Sequence, residues 1–501
     1  MKLTELLEGL DFECIQGDLN REISGVVYDS RRVIKGCLFI CIRGMKFDGH
    51  GFAPAVAKQG ASVLVVSEEV FVDASEVTII KVKDTRYAMA FISAAWFGHP
   101  AKKLKVIGIT GTKGKTTSAY LVKSILENAG YRVGLAGTVE VIIGDTHIHA
   151  QNTTPESYLL QEYFARMVEA GLDAVVMEVS SQALKLHRTQ GFIFDYGIFT
   201  NLEPDHIGEG EHESFEDYLY CKSLLFKQCR IGIVNGDDSH TFRVTKGHTC
   251  ELETFGLGEN CMLRAEELQL VHQPGELGVS FHVRGLMDFE ASVPTPGRFS
   301  VYNALAAIAL CRHFRVREED IREALGRARV KGRIEMVSVS KDFTLLIDYA
   351  HNAMALKSLL STLREYEPGR LVCLFGCGGN RSRDRRFEMG EVSGQLADLT
   401  IITSDNPRFE KPQDIMEDIK TGIERTEGDY IEICDRKEAI RYAITHGRPG
   451  DIIVLAGKGH EDYQEIEGVK YPMDERVLIQ EILSEEKLHG HLAKCDDTVR
   501  R

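Results

Sequence analysis

The chain has 501 residues, enough for about two to four domains that each bury a core of their own. Its 60 Lys and Arg against 75 Asp and Glu give a net charge of −15, which argues against general binding to nucleic acid or to anionic membranes. The content of 43% hydrophobic and 27% charged residues is typical of a soluble protein, and no apolar run reaches the length of a membrane span.

The 12 cysteines follow neither a secreted disulfide framework nor a zinc-binding spacing. Cys37 and Cys41, and likewise Cys373 and Cys377, stand one residue too far apart for a C-x-x-C motif. Such a pattern is typical of reduced thiols in a cytoplasmic protein. The opening residues do not resemble a signal peptide. We therefore expect a cytoplasmic monomer that neither inserts into a membrane nor binds nucleic acid.

Residues 1–100 are predicted to form a small α/β domain with strands at 63–66 and 77–82, followed by a proline-led linker at 100–103. Over 101–331, strands are predicted to alternate with helices. The strands are 105–110, 173–179 and 194–199, and the helices are 115–129, 156–170 and one near 215–228. Alternation of this kind predicts a mostly parallel sheet with helices on both faces, similar to that of the P-loop ATPases.

Residues 332–501 are predicted to form a further doubly wound, Rossmann-like domain. Its apolar, β-branched strands are 343–348, 370–375, 399–403 and 451–456, with helices between them. The predicted fold is therefore α/β with three domains.

The segment Val106–Thr117 is predicted to bind a triphosphate, because a buried strand leads into a glycine-rich turn that opens a helix. In such a loop Lys115 reaches the β- and γ-phosphates and the Thr116 hydroxyl binds Mg²⁺. The match to G-x-x-x-x-G-K-[ST] is imperfect, since Ile109 stands where the first glycine belongs. A tight glycine turn without nucleotide is the alternative. The candidate ATP-binding residues here are Gly111, Thr112, Lys113, Gly114, Lys115, Thr116 and Thr117.

Two further strand ends carry candidate metal ligands. Glu178 ends strand 173–179, where a carboxylate beside a phosphate loop holds Mg²⁺; a solvated strand end is the alternative. His206 follows strand 194–199 and is either a metal ligand or a core histidine. Lys222 lies among apolar residues of a predicted helix, where a lysine normally extends its ammonium to solvent.

Taken together, the motifs resemble those of the Mur ligases, the ATP-dependent amino-acid ligases of peptidoglycan synthesis. The resemblance covers essentially the whole chain. The segments that carry it are Tyr28–Arg31, Gly111–Thr117, Asn152–Pro155, Glu178–Ser181, His187–Arg188, Asp205–His206, Lys222, Tyr302–Ala307, Gly332–Glu335, Asp348–His351, Phe375–Gly379, Asp405–Arg408 and Ala456–Glu461.

The resemblance implies an enzyme that adds meso-2,6-diaminopimelate to the D-glutamate γ-carboxylate of UDP-N-acetylmuramoyl-L-alanyl-D-glutamate through an acyl phosphate. Its cofactors are implied to be ATP and two Mg²⁺ ions, the first held by Thr116 and Glu178 and the second by His206 and an N-carbamoylated Lys222. Lys115, Lys222 and His206 are the implied catalytic residues. Asn303 and Arg333 are implied to contact ATP, and Asp348 to hold ribose or anchor a domain interface.

The three domains are implied to bind the UDP-muramoyl substrate, ATP and the amino acid in chain order, so that domain closure precedes chemistry. The implied contacts of the UDP-muramoyl substrate are Ser30, Asn152, Thr153, Thr154, Ser180 and Arg188. The implied contacts of diaminopimelate are Arg381, Asp405, Asn406, Pro407, Arg408, Gly457 and Glu461. Three alternatives remain: lysine as the amino acid, a ligase like folylpolyglutamate synthetase, and a non-catalytic binding protein on the same scaffold.

Overall fold

The computed structural model describes residues 1–44, 47–73, 76–205, 207–208, 211–273 and 275–488. For residues 487 and 488 it describes the backbone only. The described chain forms two compact units. The first contains Met1–Arg264, Arg284–Met287 and Tyr302–Ala324. The second contains Ala265–Val283, Asp288–Val301 and the chain from Leu325 onward.

The first unit begins with a five-stranded sheet of order β1-β5-β4-β3-β2, in which only β1 is antiparallel to its neighbour. Its elements are α1 (Leu3–Leu6), β1 (Phe12–Gln16), β2 (Val26–Val27), β3 (Leu38–Ile40), α2 (Ala53–Lys58), β4 (Val63–Val66), β5 (Thr78–Val82) and α3 (Thr85–Trp96). Leu64 and Val65 of β4 point into cores on opposite faces. The predicted strands 63–66 and 77–82 are confirmed.

A larger sheet follows in the first unit, with the strand order β13-β12-β11-β6-β10-β7-β8-β9. Its elements are β6 (Lys105–Thr110), α4 (Lys115–Asn128), β7 (Val133–Ala136), β8 (Glu140–Ile143), β9 (Thr146–His149), α5 (Ser157–Glu169), β10 (Ala174–Glu178), α6 (Ser181–Lys185), β11 (Phe194–Phe199), α7 (Phe215–Ser223), β12 (Cys229–Asn235), α8 (Thr241–Val244) and β13 (Glu251–Gly256).

The strands from β13 to β7 are parallel, so their carboxyl ends meet at one edge. In register, Glu178 at the end of β10 lies beside Ile109 of β6, and Phe199 at the end of β11 lies beside Thr110. The predicted phosphate loop and both predicted metal-binding strand ends are therefore at the same edge. Pro100–Lys103, predicted as a linker, joins α3 to β6 as a 3₁₀ turn with Pro100 buried.

From residue 265 to residue 325 the chain alternates between the second unit and the first. The elements here are β14 (Leu263–Gln273), β15 (Glu276–Gly285), β16 (Phe289–Val293), α9 (Arg298–His313) and α10 (Glu318–Arg327). β14 starts parallel to β13, and β15 pairs antiparallel with β16.

The second unit contains a six-stranded sheet of order β17-β18-β22-β19-β20-β21, parallel except for β17. Its elements are β17 (Glu335–Val337), β18 (Thr344–Asp348), α11 (Ala353–Arg364), β19 (Leu371–Phe375), α12 (Asp384–Leu396), β20 (Leu399–Ile402), α13 (Pro412–Ile423), β21 (Tyr430–Glu432), α14 (Arg436–Thr445), β22 (Ile452–Ala456), the hairpin β23 (Tyr463–Ile466) and β24 (Val469–Pro472), and α15 (Glu475–Leu488).

Both faces of this sheet are buried: Leu346 and Phe375 face one core, and Leu345 and Leu374 face the other. The predicted doubly wound domain and the α/β fold class are confirmed. The strand ends after 348, 375, 402 and 456 share one edge, because their strands are parallel neighbours. No helix within the described ranges is both long enough and apolar enough to cross a bilayer.

Candidate active site

The turn between β6 and α4 depends on two glycines. Gly111 and Gly114 have φ angles of +149° and +86°, which L side chains rarely adopt. A Cβ on Gly111 would lie 1.9 Å from Thr200 Oγ1, and one on Gly114 would lie 2.4 Å from Asn303 Oδ1. The loop therefore needs glycine for its backbone angles and for the close approach of its neighbours.

The end of β11 holds this loop in place. The backbone amides of Thr112 and Lys113 donate to the carbonyl and side-chain oxygens of Asn201, both at 2.9 Å. The Thr200 hydroxyl donates to the Lys113 carbonyl at 2.6 Å. α4 begins at Lys115, and the N-terminus of an α-helix is a favourable position for an anion.

We expect Gly114→Ala to raise the KM for ATP strongly and to lower stability, because the methyl group meets Asn303 and the backbone must keep a left-handed angle. Gly130→Ala is the matched control: its φ is +90°, but nothing lies within 4 Å of an added Cβ. Each variant carries the left-handed backbone cost of about 1–2 kcal/mol. Melting temperatures and ATP titrations measure the two effects. Equal losses in both variants would show that the contact with Asn303 has no role.

Two lysines converge on one carbonyl of the loop. Lys115 Nζ donates to the Gly111 carbonyl at 2.8 Å and to that of Thr112 at 3.0 Å, and Lys222 Nζ donates to the same Gly111 oxygen at 2.9 Å. Lys222 is only 1% exposed, and its ammonium lies 4.5 Å from the centre of the Tyr218 ring. Burial, with the nearby Lys115 cation, holds the pKa of Lys222 well below its ordinary value.

Glu178 lies beside the start of α4. Its carboxylate accepts hydrogen bonds from the Thr116 hydroxyl at 3.0 and 3.1 Å, and from the backbone amide and hydroxyl of Thr138, both at 2.9 Å. Glu178 is 1% exposed. A buried carboxylate and a hydroxyl in contact are hard oxygen donors, so this donor set fits Mg²⁺.

The helix that carries Lys222 is fastened by a buried histidine. His212 is fully buried, with Nε2 2.8 Å from the Ser181 hydroxyl and Nδ1 3.0 Å from Asp217 Oδ2. Burial lowers the pKa of His212 despite this carboxylate. Burial opposes ionisation of Asp217, but hydrogen bonds from Lys185 and His212 prevail and lower its pKa to about 2. Together with Cys221 Sγ, these side chains bring His, Asp and Cys ligand atoms within 4.8 Å of one another, in a network already hydrogen-bonded.

Four of the residues assigned to the UDP-muramoyl substrate lie around the end of β10. The Thr154 hydroxyl donates to the Glu178 carbonyl at 2.8 Å and accepts from the Ser180 amide at 3.0 Å. Arg188 donates to the Thr154 carbonyl at 3.1 Å, and the Thr153 hydroxyl lies 3.1 Å from that of Thr138.

Asn152 is exposed near this group, whereas Ser30 belongs to a 3₁₀ turn of the N-terminal sheet. A salt-bridge chain links the two sheets of the first unit: Glu156 pairs with Arg188 at 2.7 Å and with Arg86 of α3 at 3.1 Å.

Of the two residues assigned to ATP outside the loop, Asn303 belongs to the first unit and Arg333 to the second. Asn303 is buried and accepts from the Ser118 hydroxyl of α4 at 3.2 Å. The Arg333 guanidinium lies 4.7 Å from the centre of the Tyr349 ring. Asp348 accepts from the backbone amides of Ile334 and Ala350, and burial raises its pKa.

In the second unit, the residues assigned to diaminopimelate gather at the carboxyl edge of the sheet. Asn406 Nδ2 donates to Glu461 Oε2 at 2.9 Å, and Asp405 and Asn406 are buried. Gly457 has a φ of +102° and lies against Asp405: a Cβ there would be 3.2 Å from Asp405 Oδ2. Pro407 is buried in the same segment.

Arg408 is held by two acceptors. Its Nε donates to Glu465 Oε2 at 3.1 Å, and its Nη1 donates to the Gly379 carbonyl at 2.7 Å. The side chain is 22% exposed. Arg381 belongs to the loop after β19 and is exposed. The structure therefore joins Asn406 directly to Glu461, and it links Arg408 to them only through Glu465, whose backbone amide donates to Asn406 Oδ1.

His206 lies outside the described residues.

Four residues that hold the site together have no predicted role in the sequence: Asn201, Thr138, His212 and Lys458. Lys458 stands inside a recognised motif, Ala456–Glu461, whereas the other three carry no local signal, since each acts through a contact distant in sequence.

Fold and site together define a nucleotide-dependent α/β enzyme. Three family models match the chain: "Mur ligase family, catalytic domain" over residues 22–97, "Mur ligase middle domain" over 109–311 and "Mur ligase, glutamate ligase domain" over 332–459. The chain belongs to the Mur ligase family, and it is an ATP-dependent amino-acid ligase.

Relatives and solved structures agree with this family. A protein of Caldanaerobacter subterraneus subsp. tengcongensis named UDP-N-acetylmuramoyl-L-alanyl-D-glutamate–2,6-diaminopimelate ligase is 44% identical, over 97% of this chain and 99% of its own. The Clostridium perfringens protein of the same name is 41% identical over 96% and 99%. A solved structure titled with that name has a TM-score of 0.72 at 27% identity, covering 97% and 99%. MurF from Acinetobacter baumannii, at 19% identity and a TM-score of 0.61 over 96% and 98%, shares the fold.

Proposed function

We propose that the chain joins meso-2,6-diaminopimelate to the D-glutamate γ-carboxylate of UDP-N-acetylmuramoyl-L-alanyl-D-glutamate in peptidoglycan precursor synthesis. The observation that carries the choice of amino acid is the cluster at the edge of the second sheet, where the Arg408 guanidinium and the Glu461 carboxylate lie in one group of side chains. The distal end of diaminopimelate carries a carboxylate and an ammonium, and the two side chains are their charge complements. The names of the relatives support the same reaction.

The reaction proceeds in two transfers. The γ-phosphoryl group of ATP passes to the D-glutamate carboxylate, giving an acyl phosphate and ADP. The amine of diaminopimelate then attacks the acyl carbon, so that an amide forms and inorganic phosphate leaves. The phosphate loop 111–117 and Asn303 would bind ATP, and Arg333 is proposed as a further ATP contact. Lys115 would neutralise charge on the phosphoryl group in flight.

Thr116 and Glu178 would hold one Mg²⁺ ion, and His206 with Lys222 would hold a second. Ions bound there would neutralise phosphate charge and orient the triphosphate. The support is the buried carboxylate in contact with the Thr116 hydroxyl.

Lys222 would act as a carbamate. A neutral amine attacks CO₂, an N–C bond forms, and one proton leaves to solvent. The lowered pKa of Lys222 supports this, because burial favours the neutral amine, which is the nucleophilic form, over the ammonium. The carbamate would give the apolar helix face an anionic oxygen ligand.

Ser30, Asn152, Thr153, Thr154, Ser180 and Arg188 would contact the UDP-muramoyl substrate. The supporting observation is that Thr153, Thr154, Ser180 and Arg188 lie around the end of β10, where Thr154 donates to the Glu178 carbonyl.

We place the domain boundaries at 1–100, 101–331 and 332–501. We also propose a monomer that acts in the cytoplasm, where ATP and nucleotide-linked precursors are available.

Arg408→Ala is expected to raise the KM for diaminopimelate about 30-fold, which corresponds to about 2 kcal/mol for a lost charge-assisted pair. The partial exposure of the side chain places the effect at the low end of such losses. The KM values for ATP and for the UDP-muramoyl substrate should change little. Lysine lacks the second carboxylate, so it should be a poor substrate for the wild type and lose little in the variant.

Product analysis by mass spectrometry, with diaminopimelate, lysine and ornithine offered in turn, tests the proposed function directly. A wild-type preference for lysine would overturn the choice of amino acid and leave the ligase assignment standing. Two folylpolyglutamate synthases with TM-scores of 0.56 and 0.57 share the fold at 18% and 15% identity. Phosphate release dependent on the UDP-muramoyl substrate separates that activity from the proposed one.

A further inference from the structure

We propose that Lys458 is a positioning residue that presets Glu461 for the distal ammonium of the amino-acid substrate. The inference rests on the proposed function and adds to it a residue whose effect on substrate choice is separable from that of Arg408. Lys458 is 0% exposed, and it lies between two glycines at the end of β22.

The backbone forces the Lys458 side chain inward. Gly457 and Gly459 have φ angles of +102° and +52°, so the chain turns sharply on either side of the lysine. A Cβ on Gly459 would lie 2.6 Å from Tyr349 Cβ, which leaves no room for a larger residue. The fully buried ammonium must then find its partners inside the protein, because an unpaired buried charge is costly.

All three N–H groups of the Lys458 ammonium are used. They donate to Asn406 Oδ1 at 2.9 Å, to Glu461 Oε2 at 3.0 Å and to the Tyr463 carbonyl. Asp405 Oδ1 lies 3.6 Å away and adds a second negative charge. A lysine whose donors are all bound to protein does not bind substrate itself, so its effect passes through the groups it holds.

The first of these groups is the Asn406 amide. Its Oδ1 accepts from Lys458 and from the Glu465 backbone amide, each at 2.9 Å. Two donors at one end fix the orientation of the amide, so Nδ2 must point to Glu461. Among the described residues, both hydrogen bonds to the Glu461 carboxylate end on Oε2. The other oxygen, Oε1, is then the one offered to a substrate ammonium.

Three amino acids separate this role from a general structural one. Diaminopimelate has a distal carboxylate and a distal ammonium, lysine lacks the carboxylate, and L-2-aminopimelate lacks the ammonium. If Lys458 presets Glu461, then Lys458→Met should reduce the preference for diaminopimelate over L-2-aminopimelate about 10- to 100-fold. Arg408→Ala should leave that ratio unchanged and reduce the preference for diaminopimelate over lysine.

The measurement is kcat/KM for each amino acid at saturating ATP and UDP-muramoyl substrate, with melting temperature as a check on folding. Lys458→Gln is the second variant, since it keeps an N–H donor while it removes the charge and shortens the side chain by one atom. Exposed Lys357 of α11 provides the control Lys357→Met, which should change no ratio.

Glu461→Gln should mimic Lys458→Met, and the double variant should lose no more of the ratio than Glu461→Gln alone, because both changes act on one contact. Equal loss with diaminopimelate and with L-2-aminopimelate in the Lys458 variants would overturn the inference. Absence of diaminopimelate turnover in the wild type would instead overturn the proposed function, so the two failures are distinguishable.

Discussion

Lys222→Ala is expected to lower kcat by about 10³-fold, since it would remove the proposed carbamate ligand of a metal ion, and such an ion is worth several kcal/mol in phosphoryl transfer. The lysine is buried, donates to the Gly111 carbonyl and has a lowered pKa. A small carboxylic acid such as acetate should restore part of the activity by filling the vacated ligand position. Phosphate release measured with and without acetate checks both expectations.

The control for this variant is Lys227→Ala, an exposed lysine of the same segment, which should retain wild-type kcat. A second readout does not depend on activity: wild-type protein equilibrated with ¹³C-bicarbonate should show a carbamate carbonyl signal by NMR, and Lys222→Ala should lack it. Full activity of Lys222→Ala, or an unchanged spectrum between the two proteins, would contradict the carbamate.

Lys115→Ala is expected to reduce kcat by about 10²–10³-fold while leaving the fold intact, because it removes the cation that we propose neutralises charge on the transferring phosphoryl group. Lys115 lies at the first position of α4 and curls back over the loop carbonyls, so the helix itself does not depend on its side chain. Steady-state phosphate release measures kcat, and circular dichroism checks that the fold is intact.

Lys123→Ala is the matched control, since Lys123 is on the same helix and pairs with Glu127. Loss of this ion pair should cost about 0.3–0.5 kcal/mol of stability, and the variant should keep its activity. Near-normal turnover by Lys115→Ala would remove the central claim of a catalytic phosphate loop.

Most strands and helices could be predicted from the sequence, because the periodicity that indicates each element lies within a short stretch of chain. The strands predicted at 105–110 and 451–456 and the helix predicted at 115–129 agree with the structure to within a residue. The helix predicted near 215–228 is shorter, since Phe215–Ser223 is α-helical and Leu224–Lys227 tightens into a 3₁₀ turn. The segment 100–103, predicted as a linker, joins α3 to β6 as a 3₁₀ turn, and the burial of Pro100 was not evident from the sequence.

The sequence by itself determined the phosphate loop, since the strand, the glycines, Lys115 and the helix start are consecutive in the chain. Only the tertiary structure determined which group the Lys222 ammonium contacts. The sequence of its helix shows a lysine among apolar residues, but the acceptor, the Gly111 carbonyl, is 111 residues away. The same holds for Lys458, whose partner Asn406 is 52 residues away on another strand end. Local pattern predicts which elements form, whereas the order of strands in the sheet determines which side chains meet. That order depends on packing between elements that no short stretch of sequence contains.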